Sequence, residues 1–530
     1  MQQSAAARVP ASRSTIGFMN GLDALFLVLE SSQTPMHVGS LHLLDLPRAR
    51  HDDFAERVRA RIARRLHEAE VFTRRLAPMP LGLASPAWVA AEAVDLDHHV
   101  RRLRLAPPGT RALLLEAVAS LHAQPLDRDR PLWEMVVIEG LASGQLGFYA
   151  KVHHAGLDGH AGVALAQAVY DVVAQAGPDG HDAGAAARER VRRRPPPGAA
   201  SVALAGARHN LAQLVALGRR LPGLARAVAA AVIPGDGSSG ARALLGADGL
   251  LAPRTALNGV IARSRAFATA SVPIARVRAV ADRHEATVND VVLAVCGGAL
   301  REWLQARGEL PRASLLAAVP VSLRAPGDAL ANTQAMMARI TLATDRDDPL
   351  ARLCAVRDAS RALKGAISGV KSALPTDFPS FGLPWLGALL AALWARGLAE
   401  RVPPLANVVV SNVPGSPVPL YLEGARLHGF WPVSIPFHGL ALNITVQSYA
   451  GSLDFGLIAC RRTVPDVASI AAAIETGFVG LEAASVASAA PAPHELPASA
   501  SPAPPEALRP TRGRAAGTPR RPAARGGRDR

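Results

Sequence analysis

Cysteine and lysine are both scarce in this chain of 530 residues, which contains three of each. Cys296, Cys354 and Cys460 show no spacing typical of metal ligands or of a disulfide framework. The sequence therefore predicts no metal centre and is typical of a reducing cytoplasm. Met1 to Ser14 lacks the apolar core of a secretory signal, and no uninterrupted apolar run reaches the roughly 20 residues that cross a bilayer. Neither export nor a membrane-spanning helix is expected.

Acidic residues are in the minority, so the net charge is +15, and almost all cations are arginine. Such a charge suits nucleic acid, anionic lipid or a phosphorylated substrate. Part of the excess lies in a C-terminal tail with these arginines: Arg509, Arg512, Arg514, Arg520, Arg521, Arg525, Arg528 and Arg530. The tail has no aromatic residues on which bases could stack. We therefore expect a solvated or lipid-attracted tail and no nucleic-acid partner.

The length favours two structured domains, because it exceeds what one hydrophobic core usually organises. Strand-like and helix-like patterns alternate in both halves, which indicates an α/β architecture. We predict an N-terminal domain over residues 14–180 and a second domain over 251–482. Residues 181–250 read as a partly helical linker, and the Ala/Pro/Arg-rich residues 483–530 as a disordered tail.

A double histidine stands where a strand is predicted to give way to a helix. The strand-like run from Leu146 to Val152 leads directly into His153 and His154, and an apolar helical pattern begins soon after Gly159. Histidine suits the task of a base that removes a hydroxyl proton, because its pKa lies near neutrality. Asp158 follows His154 by four residues, so a helical turn would bring its carboxylate close to the imidazole.

Other interpretations of this histidine pair compete with catalysis. Adjacent histidines can be satisfied core residues, as we expect for His98 and His99, which lack a following Asp-Gly. A metal site that includes His160 is disfavoured, because adjacent histidines project divergently and no third ligand stands at a recognised spacing. A buried nucleophile is disfavoured as well, since no nucleophile-elbow pattern follows a strand.

The pattern His153-His154-x-x-x-Asp158-Gly159 resembles the signature of the coenzyme A-dependent acyltransferase superfamily, and condensation domains of peptide synthetases share it. Further blocks are similar, in the same order, to those of bacterial wax ester synthase/diacylglycerol acyltransferases. They are Leu22 to Phe26, Pro35 to Gly39, Pro131 to Glu134, Asn289-Asp290, Pro320 to Arg324 and Ser411 to Gly415. The similarity runs from about Gly17 to about Leu481.

This resemblance implies an α/β fold of two chloramphenicol-acetyltransferase-like domains, with an active-site tunnel at their interface. It implies that His154 is the general base, that His153 supports it, that Asp158 orients it and that Gly159 permits the turn. Asn289, at a predicted helix start, is a candidate for positioning or oxyanion stabilisation. Ordinary helix capping by Asn289-Asp290 is the alternative.

The resemblance also implies a reaction. A fatty acyl group would move from acyl-CoA, as co-substrate and with no bound cofactor, to diacylglycerol or to a long-chain fatty alcohol. The protein would be cytoplasmic and peripheral to the inner membrane or to lipid droplets. A condensation-type enzyme acting on carrier-bound acyl groups is one alternative, although we expect no carrier domain after Glu482. A non-catalytic lipid-binding protein is the other.

Overall fold

The computed structural model describes residues 16–47, 51–77, 86–157, 159–174, 197–232, 251–322, 335–370 and 392–488. The strands are β1 Gly17–Phe18, β2 His37–Asp45, β3 Arg74–Leu76, β4 Ala87–Ala90, β5 Val100–Arg104, β6 Trp133–Glu139, β7 Leu146–His153, β8 Arg265–Pro273, β9 Leu316–Ser322, β10 Ala335–Thr341, β11 Val408–Val413, β12 Tyr421–Leu422, β13 Ala425–Leu427, β14 Trp431–Val433, β15 Leu442–Tyr449 and β16 Ser452–Cys460. The α-helices are α1 Gly21–Leu29, α2 Phe54–Arg65, α3 Leu96–His99, α4 Arg111–His122, α5 Gly159–Val169, α6 Ala199–Val232, α7 Ile274–Arg283, α8 Val288–Ala306, α9 Pro349–Val370, α10 Ala399–Arg401 and α11 Val467–Ala487.

Strand β7 lies inside a mixed seven-stranded sheet, in the order β12-β13-β2-β7-β6-β5 with β14 also paired to β2. Its neighbours β2 and β6 are antiparallel to it, whereas β5 and β6 are parallel. All residues of β6 are buried, because alternate side chains pack on opposite faces. Trp133, Met135 and Val137 pack with the apolar face of α2, and Val136 and Ile138 pack with that of α4.

A six-stranded sheet, in the order β10-β9-β11-β15-β16-β8, organises the second half. Strands β9, β11 and β15 run parallel, and the remaining pairs are antiparallel. Helix α8 is buried along most of its length against this sheet and against α7, α9 and α11. The second half therefore has a core of its own, and it is the largest apolar cluster among the described residues.

The second half of the chain contributes strands to the first sheet. Strands β12 to β14 lie between β11 and β15 in the chain, yet β13 and β14 pair with β2 in the first sheet, for example Trp431 opposite Leu41. On its other side β14 contacts β16 so closely that a Cβ on Gly456 would stand 1.7 Å from the Pro432 carbonyl oxygen. One apolar cluster accordingly joins Tyr149 of the first sheet to Ile458 of the second.

The pairing of β13 and β14 with β2 bears on the predicted domains. The limits at 14–180 and 251–482 stay predictions, but the two sheets are not built from two separate chain segments. The predicted linker contains α6, and residues 175–196 and 233–250 lie outside the described residues. Helix α11 continues to Ala487, so residues 483–487 are helical, although the tail was predicted to begin at 483. Residues 489–530 lie outside the described residues as well.

Helix α11 is long and apolar enough to cross a bilayer by length and composition, with a mean hydropathy of 1.4. The helix is not an uninterrupted apolar run, because it contains Glu475 and Glu482. One face of the helix, including Ile470, Ile474 and Phe478, is buried in the core of the second half. Since that face packs on α8 and β8, α11 is a core helix of this fold.

The sequence patterns located several helix and strand boundaries correctly. Thr287 caps α8, and its hydroxyl accepts the amide of Asp290 at 3.3 Å while Asp290 accepts the amide of Thr287 at 2.8 Å. This reciprocal arrangement is a capping box, and it stands at the helix start predicted around Asn289. The strand predicted from Leu146 to Val152 is β7, and it ends at His153.

Besides His153, four histidines of the described first half lie in the core: His37, His42, His99 and His122. His122 donates from Nε2 to the Ser434 carbonyl at 2.7 Å and accepts the Tyr149 hydroxyl on Nδ1, also at 2.7 Å. His99 stacks on Trp133 and donates to its carbonyl, which confirms the structural role predicted for it. Burial lowers the pKa of His42 and His122 to about 3 and that of His99 to about 4, and it lowers the pKa of His37 well below the ordinary value.

These histidines predict a loss of stability in mild acid. Each is neutral when folded, but each takes up a proton near pH 6.5 when unfolded, so the unfolded state gains protons first as pH falls. Their contribution is complete above pH 6.5 and decreases by up to about 1.4 kcal/mol per pH unit for each histidine below it. Urea unfolding at pH 7.5, 6.0 and 5.0 measures this slope. The substitution His67→Gln, at an exposed position, should leave the slope unchanged. A free energy of unfolding that stays level from pH 7.5 to 5.0 would contradict the prediction.

Candidate active site

The double histidine lies at the junction between β7 and α5, as the sequence predicts. His153 is the last residue of β7, residues His154–Gly156 form a 3₁₀ turn, and α5 begins at Gly159. Strand β2 runs antiparallel alongside, with His37 opposite His153. Asp158 lies outside the described residues, so its predicted approach to His154 stays a prediction.

His153 is completely buried, and both of its ring nitrogens face protein groups. Its Nδ1 accepts the amide N–H of Ala155 at 3.1 Å, which caps the 3₁₀ turn. Its Nε2 stands 3.3 Å from Oε1 of Glu30. Because a nitrogen that accepts a hydrogen bond carries no proton, the proton of the neutral ring must be on Nε2. His153 therefore holds the turn and is directed towards a carboxylate.

The Glu30 carboxylate is enclosed, with a side chain only 6% exposed. Oε1 accepts the Met36 amide at 3.1 Å, and Oε2 accepts Nε and Nη2 of Arg128 at 2.9 and 2.7 Å. Burial by itself raises the pKa of Glu30, but its contacts with His153, Arg128 and the Met36 amide outweigh burial and lower the pKa to about 2. Glu30 is therefore an anion at neutral pH.

His154 has a different environment. Its ring stacks on Phe26, with centroids 3.8 Å apart and planes 19° apart. Its backbone N–H donates to the Met36 carbonyl at 2.9 Å. Burial, together with the adjacent His153, lowers the pKa of His154 to about 4. Its buried Nδ1 has no hydrogen-bond partner among the residues that the structure describes. The imidazole is thus neutral at pH 7, the protonation state that a general base requires.

Glycine is required where the turn packs on its neighbours. A Cβ at Gly156 would stand 3.2 Å from Cγ2 of Val71, with the indole of Trp88 next to it at 3.8 Å. A side chain at this position would therefore have to shift Val71 by a few tenths of an ångström. Gly159, the other glycine of the motif, is the first residue of α5.

Asn289 is the second residue of α8 and is half-buried. The capping predicted for Asn289-Asp290 is confirmed for Asp290, which pairs with Thr287. The Asn289 amide takes no part in that cap. No hydrogen bond within the described parts of the chain joins Asn289 to His153 or His154. Its role in positioning or oxyanion stabilisation stays a prediction.

The stretch Pro131-Leu132-Trp133, one of the blocks shared with the family, has a structural role. The Leu132 carbonyl accepts the backbone N–H of His153 at 2.9 Å, which fixes the end of β7. Trp133 is buried, and its indole N–H donates to the Phe72 carbonyl at 3.3 Å.

Sequence reasoning missed Glu30 and Arg128. Glu30 follows the last residue of α1 and lies 123 positions before His153, so no local pattern relates the two. The available signal was the register of β2 against β7, which brings the loop after α1 to the end of β7. Composition and helical periodicity contain no information on that register.

Comparison with known proteins agrees with this architecture. Residues 19–292 match the wax ester synthase/diacylglycerol acyltransferase catalytic domain, and residues 315–482 match the C-terminal domain of the same family. The wax ester synthase/diacylglycerol acyltransferase from Marinobacter aquaeolei VT8 is 30% identical, with a TM-score of 0.61 over 88% of this chain and 100% of that chain. A condensation domain of the calcium-dependent antibiotic synthetase has a TM-score of 0.50 at 16% identity over 89% of this chain and 97% of that chain, which shows a shared fold alone.

Relatives in Mycobacterium tuberculosis cover nearly the same length. The protein named "probable diacylglycerol O-acyltransferase tgs2" is 36% identical over 472 residues, which is 87% of this chain and 98% of the relative. Another protein of that organism, provisionally named as a diacylglycerol O-acyltransferase, is 37% identical over 470 residues, covering 88% of this chain and 99% of the relative. The α/β fold of the chloramphenicol-acetyltransferase type is confirmed, and the chain belongs to the wax ester synthase/diacylglycerol acyltransferase family of acyltransferases.

Proposed function

We propose that this acyltransferase moves a fatty acyl group from acyl-CoA to the free hydroxyl of a diacylglycerol, with a long-chain fatty alcohol as a second acceptor class. The names of the relatives support the first acceptor, and the name of the Marinobacter protein supports both. Acyl-CoA is a co-substrate in this proposal, and no bound cofactor is involved. The observation that carries the proposal is the neutral His154, which directly follows β7, stacks on Phe26 and has a buried Nδ1 with no partner among the described residues.

In the proposed reaction His154 is the general base. Its imidazole takes the proton of the acceptor hydroxyl as the hydroxyl oxygen attacks the thioester carbonyl. The tetrahedral oxyanion then collapses, the carbon–sulfur bond breaks, and the imidazolium returns the proton to the thiolate. The products are the ester and coenzyme A with a free thiol. Phe26 and the Met36 carbonyl hold the ring and backbone of His154 during these steps.

Asn289 and Asp158 complete the proposal. Thr287 and Asp290 form the cap of α8, so the side-chain amide of Asn289 is not used for capping. Asn289 lies in the first turn of the helix, where backbone N–H groups have no partner within the helix. We assign it to oxyanion stabilisation or substrate positioning. Asp158 keeps the orienting role predicted for it next to His154.

The variant His154→Ala should lower kcat by about two to four orders of magnitude, the usual contribution of a positioned acid–base residue. Purified protein would be incubated with palmitoyl-CoA and either a diacylglycerol or hexadecanol, and the products resolved by chromatography. The matched control is His98→Ala, which truncates an exposed histidine of the other pair. Near-normal turnover by a folded His154→Ala variant would contradict the base assignment, and the ratio of the two products establishes the acceptor preference.

The acid limb of kcat/KM should lie unusually low. Since the pKa of His154 is lowered to about 4, the ring stays unprotonated as pH falls from 7 to 5, and activity is lost only as pH passes through about 4. An ordinary histidine would give a midpoint near 6.5. Circular dichroism at each pH separates this limb from the acid unfolding predicted above. A kinetic midpoint near 6.5 in folded protein would exclude His154, as the structure presents it, from the rate-limiting proton transfer.

A lipid surface is the proposed location of the protein, which would be cytoplasmic and peripheral to the inner membrane or to lipid droplets. Helix α6 supports this proposal. Its inner face packs on the small sheet β1-β4-β3, with Val202 fully buried. Its outer face exposes Leu204, Leu211 and Val215 by 55%, 65% and 47%. Exposed arginines share that side, and the helix contains no acidic residue. An apolar stripe with cationic neighbours suits an anionic lipid surface.

The triple variant Leu204→Ser, Leu211→Ser, Val215→Ser should reduce flotation with vesicles of phosphatidylglycerol and phosphatidylcholine by about tenfold, because apolar burial drives interfacial binding. The matched control replaces three exposed apolar residues elsewhere by serine: Leu405, Val418 and Val486. Equal flotation of both triple variants would show that α6 is not the docking surface. Turnover of a short-chain, water-soluble alcohol should be unchanged in either variant.

A further inference from the structure

We infer that Glu30 is a positioning residue of the acyl transfer, which acts on His154 through His153 and through Met36. The inference rests on the proposed function, because it assigns a role relative to His154 as the base. The polar contacts of the Glu30 carboxylate are with Met36, Arg128 and His153, and not with the imidazole of His154. Its role is to hold the backbone from which His154 projects.

One oxygen of Glu30 reaches both strands that meet at the site. Oε1 lies 3.3 Å from Nε2 of His153, at the end of β7, and 3.1 Å from the amide nitrogen of Met36, just before β2. The other oxygen is clamped by two nitrogens of Arg128. A carboxylate fixed on one side by arginine therefore presents the other side as an acceptor to two donors.

Each donor leads within one further hydrogen bond to the backbone of His154 or of the next residue, Ala155. On the first path, Nε2 of His153 lies 3.3 Å from Oε1 of Glu30, and Nδ1 of the same ring accepts the N–H of Ala155 and caps the turn. On the second path, the carbonyl of Met36 accepts the backbone N–H of His154 at 2.9 Å. Glu30 thus positions the two residues, His153 and Met36, that bind the backbone N–H groups of Ala155 and His154.

The tautomer of His153 is the sensitive point. If the proton moved to Nδ1, that nitrogen would face the Ala155 N–H, and two donors would meet without an acceptor. A carboxylate at Nε2 stabilises the required tautomer. This arrangement resembles the way an acidic residue fixes a catalytic imidazole, except that Glu30 orients the neighbouring histidine instead of the base itself.

Glu30→Gln is the discriminating variant. Glutamine has one acceptor oxygen, so it cannot satisfy Arg128 and also accept from His153 and Met36. We expect kcat to fall about 10- to 100-fold, because misplacement of a reacting group is costly, while KM for palmitoyl-CoA stays within about twofold. The matched control is Asp171→Asn, which breaks another buried carboxylate–arginine pair, that with Arg61. It should lower Tm without lowering kcat.

A kcat for Glu30→Gln equal to that of Asp171→Asn, at similar losses of Tm, would show that Glu30 is merely structural and would overturn the inference. That result, combined with an inactive His154→Ala variant, leaves the proposed function intact. An active His154→Ala variant removes the proposed function and the inference together. The two failures are therefore distinguishable.

A measurement on the unmodified protein covers the case in which Glu30→Gln does not fold. Long-range ¹H–¹⁵N correlation of histidine-labelled protein at pH 7.5 reports which ring nitrogen of each neutral histidine carries the proton. The signal of His153, assigned by its loss in His153→Gln, should show the proton on Nε2. A proton on Nδ1 would overturn the inference, because the ring could not then cap the turn.

Discussion

The antiparallel pairing of β2 with β7 is the interaction on which the candidate active site depends. It sets His37 opposite His153, and it brings the carbonyl of Met36 to the backbone N–H of His154. Because α1 leads into β2 through a short loop, the same pairing delivers Phe26 and Glu30 to the two histidines. A slip of β2 by one residue would invert its side chains and remove these contacts together.

Strand β2 also joins the two halves of the chain. One edge pairs with β7, and the other accepts β13 and β14 from the second half. The Ser434 carbonyl, just after β14, is held by His122, whose other nitrogen accepts the hydroxyl of Tyr149 on β7. The strand that leads into the double-histidine motif is therefore tied to the second half through a buried polar network. Such a network is costly to leave partly satisfied, so it resists separation of the halves.

What could be predicted from the sequence was local. The capping of α8 by Thr287 and Asp290, and the end of β7 at His153, follow from residues close together in the chain. The pairing of β13 and β14 with β2 of the first sheet could not be predicted, because strand pairing depends on contacts between distant residues. These strands are also too short to show a periodic pattern of apolar residues. The role of Glu30 could not be predicted either, because it depends on contacts with distant residues. By itself, a glutamate after a helix is usually a solvated side chain. The motif predicted the chemistry, and the fold shows which residues contact the motif.

The adjacent histidines divide the work because successive side chains at the end of a strand point in opposite directions. His153 meets Glu30, whereas His154 meets the ring of Phe26. The apolar contact penalises an isolated imidazolium, as the lowered pKa of His154 records. In the proposed reaction, however, the imidazolium forms together with the oxyanion beside it, and a low-dielectric site strengthens the attraction between the two charges. The environment that keeps His154 neutral before the reaction thus favours the pair of imidazolium and oxyanion over an isolated imidazolium. In the proposed reaction, this preference for the transition state over the ground state is what raises kcat.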